Sequence, residues 1–173
     1  MVASHTPFRA NAAVLGRLAI SQSSTSGRSW RAVHILAANC ACSRAVAEHL
    51  IARGPLRNLK ETIVLVGTDH ELQRRLQSAA IAVTSMSADE AVDRYGLHGA
   101  PWLVFIGPDG AIRYAGGYSA ERNARDGYQD VRLWNTLRAG GATAPLPAYG
   151  CAVGKRLQRN IDPLGVKYTN FGS

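Results

Sequence analysis

Between Trp30 and Ala139 short apolar runs alternate with amphipathic stretches, and the alternation predicts a succession of strands and helices. Residues 30–37, with β-branched Val33 and Ile35, read as a buried strand that breaks at Asn39. Residues 43–53 carry Val46, Leu50 and Ile51 at helical spacing and stop at Gly54 and Pro55. A second strand is expected over 61–67, followed by Asp69 in position to cap a helix whose Leu72, Leu76 and Ala79 share one face. Residues 81–84 form a short strand, and Ser87, Asp89 and Glu90 open a short helix ending at Gly96. The apolar runs 101–106 and 111–115 flank Gly107, Pro108, Asp109 and Gly110, turn chemistry that suits an antiparallel hairpin. A last helix over 125–139 turns Val131, Trp134 and Leu137 or Leu133 inward. Helical crossovers make parallel neighbours and the hairpin makes antiparallel ones, so the predicted class is α/β, a mixed sheet flanked by helices.

The flanks read differently. Residues 1–29 end in a Ser/Thr/Gly cluster over 21–29, the composition of a surface arm or linker, so the packed domain is expected to begin at Trp30. After residue 139, Gly140, Gly141, Pro145 and Pro147 make an extended connector. Beyond it Val153, Leu157 and Ile161 stand four apart, with Lys155, Arg156 and Arg159 largely elsewhere, as in a short amphipathic helix closed by Pro163 and Gly165. The predicted division is an arm or linker over 1–29, a domain over 30–139 and a C-terminal extension over 140–173 carrying Cys151. The N-terminal apolar stretch 12–20 is broken by Gly16 and Arg17 and falls short of the ~18 residues a membrane helix needs.

Apolar residues make up 46% and charged residues 18% of the 173, which excludes collagen-like, coiled-coil and wholly disordered chains. The 20 basic residues, 17 of them arginine, outnumber the 12 acidic ones. They are scattered, in runs no longer than a pair such as Arg74 and Arg75, so a solvated basic surface is expected and no nucleic-acid partner. Three cysteines exclude a disulfide-stapled miniprotein and a four-cysteine zinc site. Cys40 and Cys42 lie between a strand and a helix start, where unpaired N–H groups and the helix dipole lower a thiol's pKa. A disulfide between them would close a small, strained ring that is easy to reduce. Redox exchange and metal capture both remain open on these residues.

Residues 30–139 resemble the thioredoxin-like superfamily, as an atypical bacterial member with a Cys-x-Cys-Ser motif. The resemblance rests on the strand running into NCACS at a helix start, on YGLHGAPWLVFIGPDGAIRYAGGY some 60 residues later, and on the strand and helix succession between them. It implies a thioredoxin-like mixed sheet with parallel strands and a C-terminal antiparallel hairpin. Cys40 matches the attacking cysteine and Pro101 the cis-proline facing it, which puts the Ala100 backbone in position to pair with a bound substrate segment. Asn39 and Ser43 flank the cysteines as further substrate contacts, and Ser43 holds the place of the usual second cysteine. His34 replaces the family's buried acid six residues before the first cysteine, as a proton carrier. Ala37, Ala38 and Asn39 lack the Pro and Thr of peroxiredoxins, which counts against a peroxidase. In this fold the last helix runs ~22 Å away from the site, and the connector 140–150 spans up to ~36 Å. Cys151 can therefore return to pair with Cys40 or Cys42, as a resolving thiol or as a clamp on the tail.

The resemblance implies a thiol-disulfide oxidoreductase or isomerase, with Cys40 as nucleophile and Cys42 as resolving thiol and no cofactor. The partners expected are a protein disulfide or dithiol and a membrane-bound electron donor. A periplasmic or membrane-tethered location goes with this reading, and a cytoplasmic one is the alternative. Two other functions stay open: a Cu(I)-binding module using Cys40, Cys42 and a histidine, either His34 or His98, and a non-catalytic scaffold.

Overall fold

The computed structural model of the protein describes residues 7–8, 11–21, 28–121 and 127–164. In chain order the elements are β1 (Pro7–Phe8), α1 (Ala12–Ser21), β2 (Arg31–Ala37), α2 (Ala41–Arg53), β3 (Lys60–Val66), α3 (His70–Ser78), β4 (Ala82–Met86) and α4 (Ala88–Tyr95). They continue with β5 (Gly99–Ala100), β6 (Trp102–Ile106), β7 (Ile112–Gly116), α5 (Asp130–Arg138), β8 (Ala148–Tyr149), β9 (Cys151–Ala152) and α6 (Lys155–Ile161).

The central sheet has the strand order β4-β3-β2-β6-β7. β2, β3 and β4 run parallel because helices cross between them, while β6 lies antiparallel to β2 and forms a hairpin with β7. This is the thioredoxin-like mixed sheet that the motifs implied. Local chemistry sets the element ends: the Asp69 carboxylate accepts the Leu72 N–H at 2.9 Å, and the Ser87 hydroxyl accepts the Glu90 N–H at 3.0 Å. Gly96 ends α4 in the left-handed region, with its N–H on the carbonyls of Ala91 and Val92.

Period-two alternation divides the interior into two layers. Val33, Ile35, Val64 and Trp102 point to one face, where α1 and α4 cover them with Leu15, Leu18, Ala91 and Tyr95. Ala32, Leu36, Ile63 and Phe105 point to the other, under Val46 and Leu50 of α2, Leu72 of α3 and Trp134 of α5. His34 lies on this second face, out of phase with Val33 and Ile35.

Four expectations need correction. The packed structure does not begin at Trp30, because α1 inserts Leu15 and Leu18 into the first core layer at 2% and 0% exposure. Its apolar stretch is a docked amphipathic helix; the Ser/Thr/Gly segment 22–27 lies outside the described residues. In α5, Leu133, Trp134 and Leu137 are buried, but Val131 falls on the outer face and is 37% exposed. The start expected for that helix at Arg125 lies outside the described residues, as does Gly165. In α6 the register turns Ile161 outward, at 42% exposure, while Val153 just before the helix is buried. The third strand extends to Met86, because Val66 supplies it a partner. No helix of the described residues is long and apolar enough to cross a membrane.

Candidate functional site

The site is built where β2 ends. Ala38 and Asn39 turn the chain, and Cys40 becomes the N-cap of α2, its Sγ accepting the Ser43 N–H at 3.5 Å. The Ser43 hydroxyl reaches back to accept the Ala37 N–H at 3.0 Å and ties the helix start to the strand end. Across from the cap, β5 meets the antiparallel β9 in the register Gly99↔Ala152 and Ala100↔Cys151, extended by the Val153 N–H on the His98 carbonyl at 3.0 Å. Gly150 makes this approach possible, since a Cβ there would lie 1.8 Å from the Ala100 oxygen. The Gln158 amide of α6 donates to the Ala152 carbonyl at 2.9 Å and holds the segment from outside.

The result is a triangle of sulfurs: Sγ of Cys40, Cys42 and Cys151 all lie within 4.8 Å of one another. Cys40 and Cys151 are buried, at 2% and 5% exposure, whereas Cys42 is half-buried. Hydrogen bonds from the Cys151 and Cys42 thiols, aided by the Ser43 N–H, outweigh the cost of burial and hold the Cys40 thiol well below the ordinary thiol range. Cys151 is pushed far above the ordinary thiol range by the hydrogen bond it gives Cys40, then by that to Cys42 and by burial. Of Cys40 and Cys151, Cys40 is therefore the thiol that gives up its proton more readily. Were Cys40 protonated, it would donate to the Ala100 carbonyl, 3.7 Å away.

The residues singled out in the sequence fare differently. Cys40, Cys42 and Cys151 meet, and Ala100 and Pro101, joined by a cis peptide bond, back the triangle. The Ala100 backbone is not a free edge for a substrate segment, because β9 already pairs with it. Ser43 is fully buried and engaged with Ala37, so it organises the loop instead of facing a substrate, while Asn39 is exposed beside the site. His34 does not serve the thiols directly: Nδ1 pairs with the Tyr118 hydroxyl at 2.7 Å and Nε2 with Glu61 at 3.1 Å. His98 is exposed, and the described group that could hold a metal consists of the three cysteines without it. The third side chain of that group is Cys151.

A buried ionic network on the second face of the sheet was not foreseen. Glu61 binds His34 and Arg53, Arg53 Nε donates to Asp130 at 2.8 Å, and Asp130 meets His49 Nε2 at 2.8 Å. Burial pushes the Glu61 carboxyl up, but the hydrogen bonds from His34 and Arg53 win and hold it at about 2. Burial likewise raises Asp130, and His49 with Arg53 brings it below the usual range. The Tyr128 ring packs on His49 at 4.7 Å, and its hydroxyl is raised by burial and by charge on Cys42, which joins the network to the thiol end of the sheet. Glu61 at a strand start, Arg53 at a helix end and Asp130 in a first turn each look ordinary in sequence. Their pairing spans 77 residues between Arg53 and Asp130 and has no local signal.

No family model and no curated protein matches the chain. Among solved structures it is similar to a hypothetical protein from Sinorhizobium meliloti, at 16% identity and a TM-score of 0.56, over 73% of this chain and 79% of that one. It is also similar to an uncharacterized conserved protein from Geobacillus kaustophilus, at 10% identity and a TM-score of 0.52, over 73% and 77% of the two chains. The thioredoxin domain of a thiol-disulfide oxidoreductase from Bacteroides vulgatus aligns at 14% identity and a TM-score of 0.43, over 65% and 79%. At 16% and 10% identity the likeness to the first two is one of fold. The sheet order and the helix opening on Cys40 give the chain a thioredoxin-like α/β fold. Within that fold it carries its own third thiol, brought to the pair by a C-terminal strand.

Proposed function

We propose that the protein performs thiol–disulfide exchange on a protein disulfide or dithiol, with Cys40 as nucleophile and Cys42 as resolving thiol. The observation that supports this is the gathering of three sulfurs within 4.8 Å at a helix N-terminus, with the Ser43 N–H on Cys40. In the reducing direction the Cys40 thiolate attacks one sulfur of R–S–S–R′. A Cys40–S–S–R bond forms, and R′–S⁻ leaves and takes up a proton. Cys42, after losing its proton, attacks Cys40 Sγ, closes a Cys40–Cys42 disulfide and expels R–S⁻. Two electrons pass from the protein to the substrate. Cys151 stands within the same distance of Cys40 and offers a second route to resolution. Since Cys40 is only 2% exposed, a substrate sulfur gains it as the β9 segment moves aside.

Reduction of a peptide disulfide tests the reading. Cys40→Ser abolishes turnover, and Cys42→Ser accumulates a mixed disulfide on Cys40 that intact-mass measurement detects. Wild-type turnover by Cys40→Ser would overturn the proposal. A mixed disulfide that accumulates in Cys151→Ser but not in Cys42→Ser assigns the resolving role to Cys151 instead.

A further inference from the structure

We propose that Cys40, Cys42 and Cys151 form a three-sulfur binding site for a monovalent soft cation, Cu(I). The geometry points there directly. A metal–thiolate bond of about 2.3 Å in a trigonal plane sets the sulfurs about 4.0 Å apart, inside the 4.8 Å within which these three lie. Two are buried and one half-buried, so the cation would sit in a largely water-free pocket. No fourth histidine, cysteine or carboxylate among the described residues joins the cluster. An all-sulfur set of three suits Cu(I), whereas zinc takes four ligands and fills the last place with water or a side chain.

The triangle is also held from both sides. Cys40 and Cys42 share the first turn of α2, with Cys40 fixed as its cap and Ser43 tied to Ala37. Cys151 comes from the opposite side on β9, held by pairing with Ala100, by the Val153 N–H on His98 and by Gln158. Cu(I) needs only to replace the thiol protons, which pass to solvent. No change of oxidation state is involved.

Anaerobic titration of the fully reduced protein with Cu(I), against a chromophoric chelator, tests the site. The wild type is expected to take one equivalent, with three sulfurs at about 2.3 Å by X-ray absorption. Cys151→Ser should weaken binding by more than the roughly 10- to 100-fold that loss of an outer-shell partner costs. Cys42→Ser, which alters a half-buried position outside the β5–β9 pairing, should weaken it similarly and serves as the check should the Cys151 variant lose its fold. Two sulfurs by X-ray absorption, or equal affinity in wild type and both variants, overturns the inference. The titration contains no disulfide substrate, so its failure is separate from a failure of the exchange reading.

Discussion

Replacing Gly150 by alanine should separate Cys151 from the other two thiols while leaving the central sheet intact. The new Cβ would lie 1.8 Å from the Ala100 oxygen and 2.5 Å from its carbonyl carbon, both backbone atoms, so β9 has to leave β5. Lost with it are the Val153 N–H to His98 bond and the antiparallel pairing of Gly99 with Ala152 and Ala100 with Cys151, roughly two to three backbone hydrogen bonds. At about 1 kcal/mol net each they sum to about 2–3 kcal/mol, and at tenfold per ~1.4 kcal/mol the opened segment becomes roughly 30- to 150-fold more populated. The assay is maleimide labelling of the reduced protein at neutral pH, with the Cys151 peptide quantified by mass spectrometry. In the wild type Cys151 reacts slowly, being 5% exposed and held protonated beside Cys40. In Gly150→Ala its rate should rise by the same factor. Cys40 loses the strongest influence lowering its pKa, so its thiolate absorbance should titrate at higher pH. Labelling of Cys151 at the wild-type rate in the variant would refute the reasoning, because the close approach at Gly150 would then not be what holds the segment.

Acid stability follows from Glu61, which is held at about 2 in the folded protein against 4.5 in its absence. A carboxyl lowered on folding stabilises above its unfolded value, here by about 3 kcal/mol, and that contribution disappears as pH falls from 4.5 to 2. The stability lost between pH 7 and pH 3 in denaturant melts should therefore be smaller in Glu61→Gln than in the wild type, with the lowered Asp130 supplying part of what remains; equal pH sensitivity of the two would exclude this origin. Leu18→Ala should cost about 2–5 kcal/mol, since Leu18 on the inner face of α1 is fully buried, whereas Val131→Ala on the exposed face of α5 should change stability by less than about 0.5 kcal/mol. Urea midpoints report both, and a neutral Leu18→Ala would mean that α1 is not part of the core.

Much of the fold was legible because it rests on local periodicity. The apolar β-branched runs read over 30–37 and 61–67, the cap residues Asp69 and Ser87, and the turn from Gly107 to Gly110 each act over a few residues, and the elements formed there. Cys40 and Cys42 were visible for the same reason, as a pair between a strand and a helix start. The N-terminal helix was misread because a Ser/Thr/Gly segment follows it, and composition does not report whether Leu15 and Leu18 find a surface to cover. His34 was assigned to the thiols by position in a motif, but β2 turns it to the opposite face, where Tyr118 and Glu61 take both ring nitrogens.

From the residues alone came the mixed sheet, the helix opening on two thiols, and a third thiol on a connector long enough to return. Chain length sets only what Cys151 can reach, and a flexible connector can reach many places. Tertiary structure chose one of them, because Gly150 lets β9 close onto Ala100 with no side chain between, and backbone hydrogen bonds then fix the register that puts Cys151 at Cys40. The pairing of Arg53 with Asp130 and of His34 with Glu61 was decided in the same way. A buried charge takes its partner from whatever the packed layers bring within about 3 Å, and sequence spacing has no part in that choice.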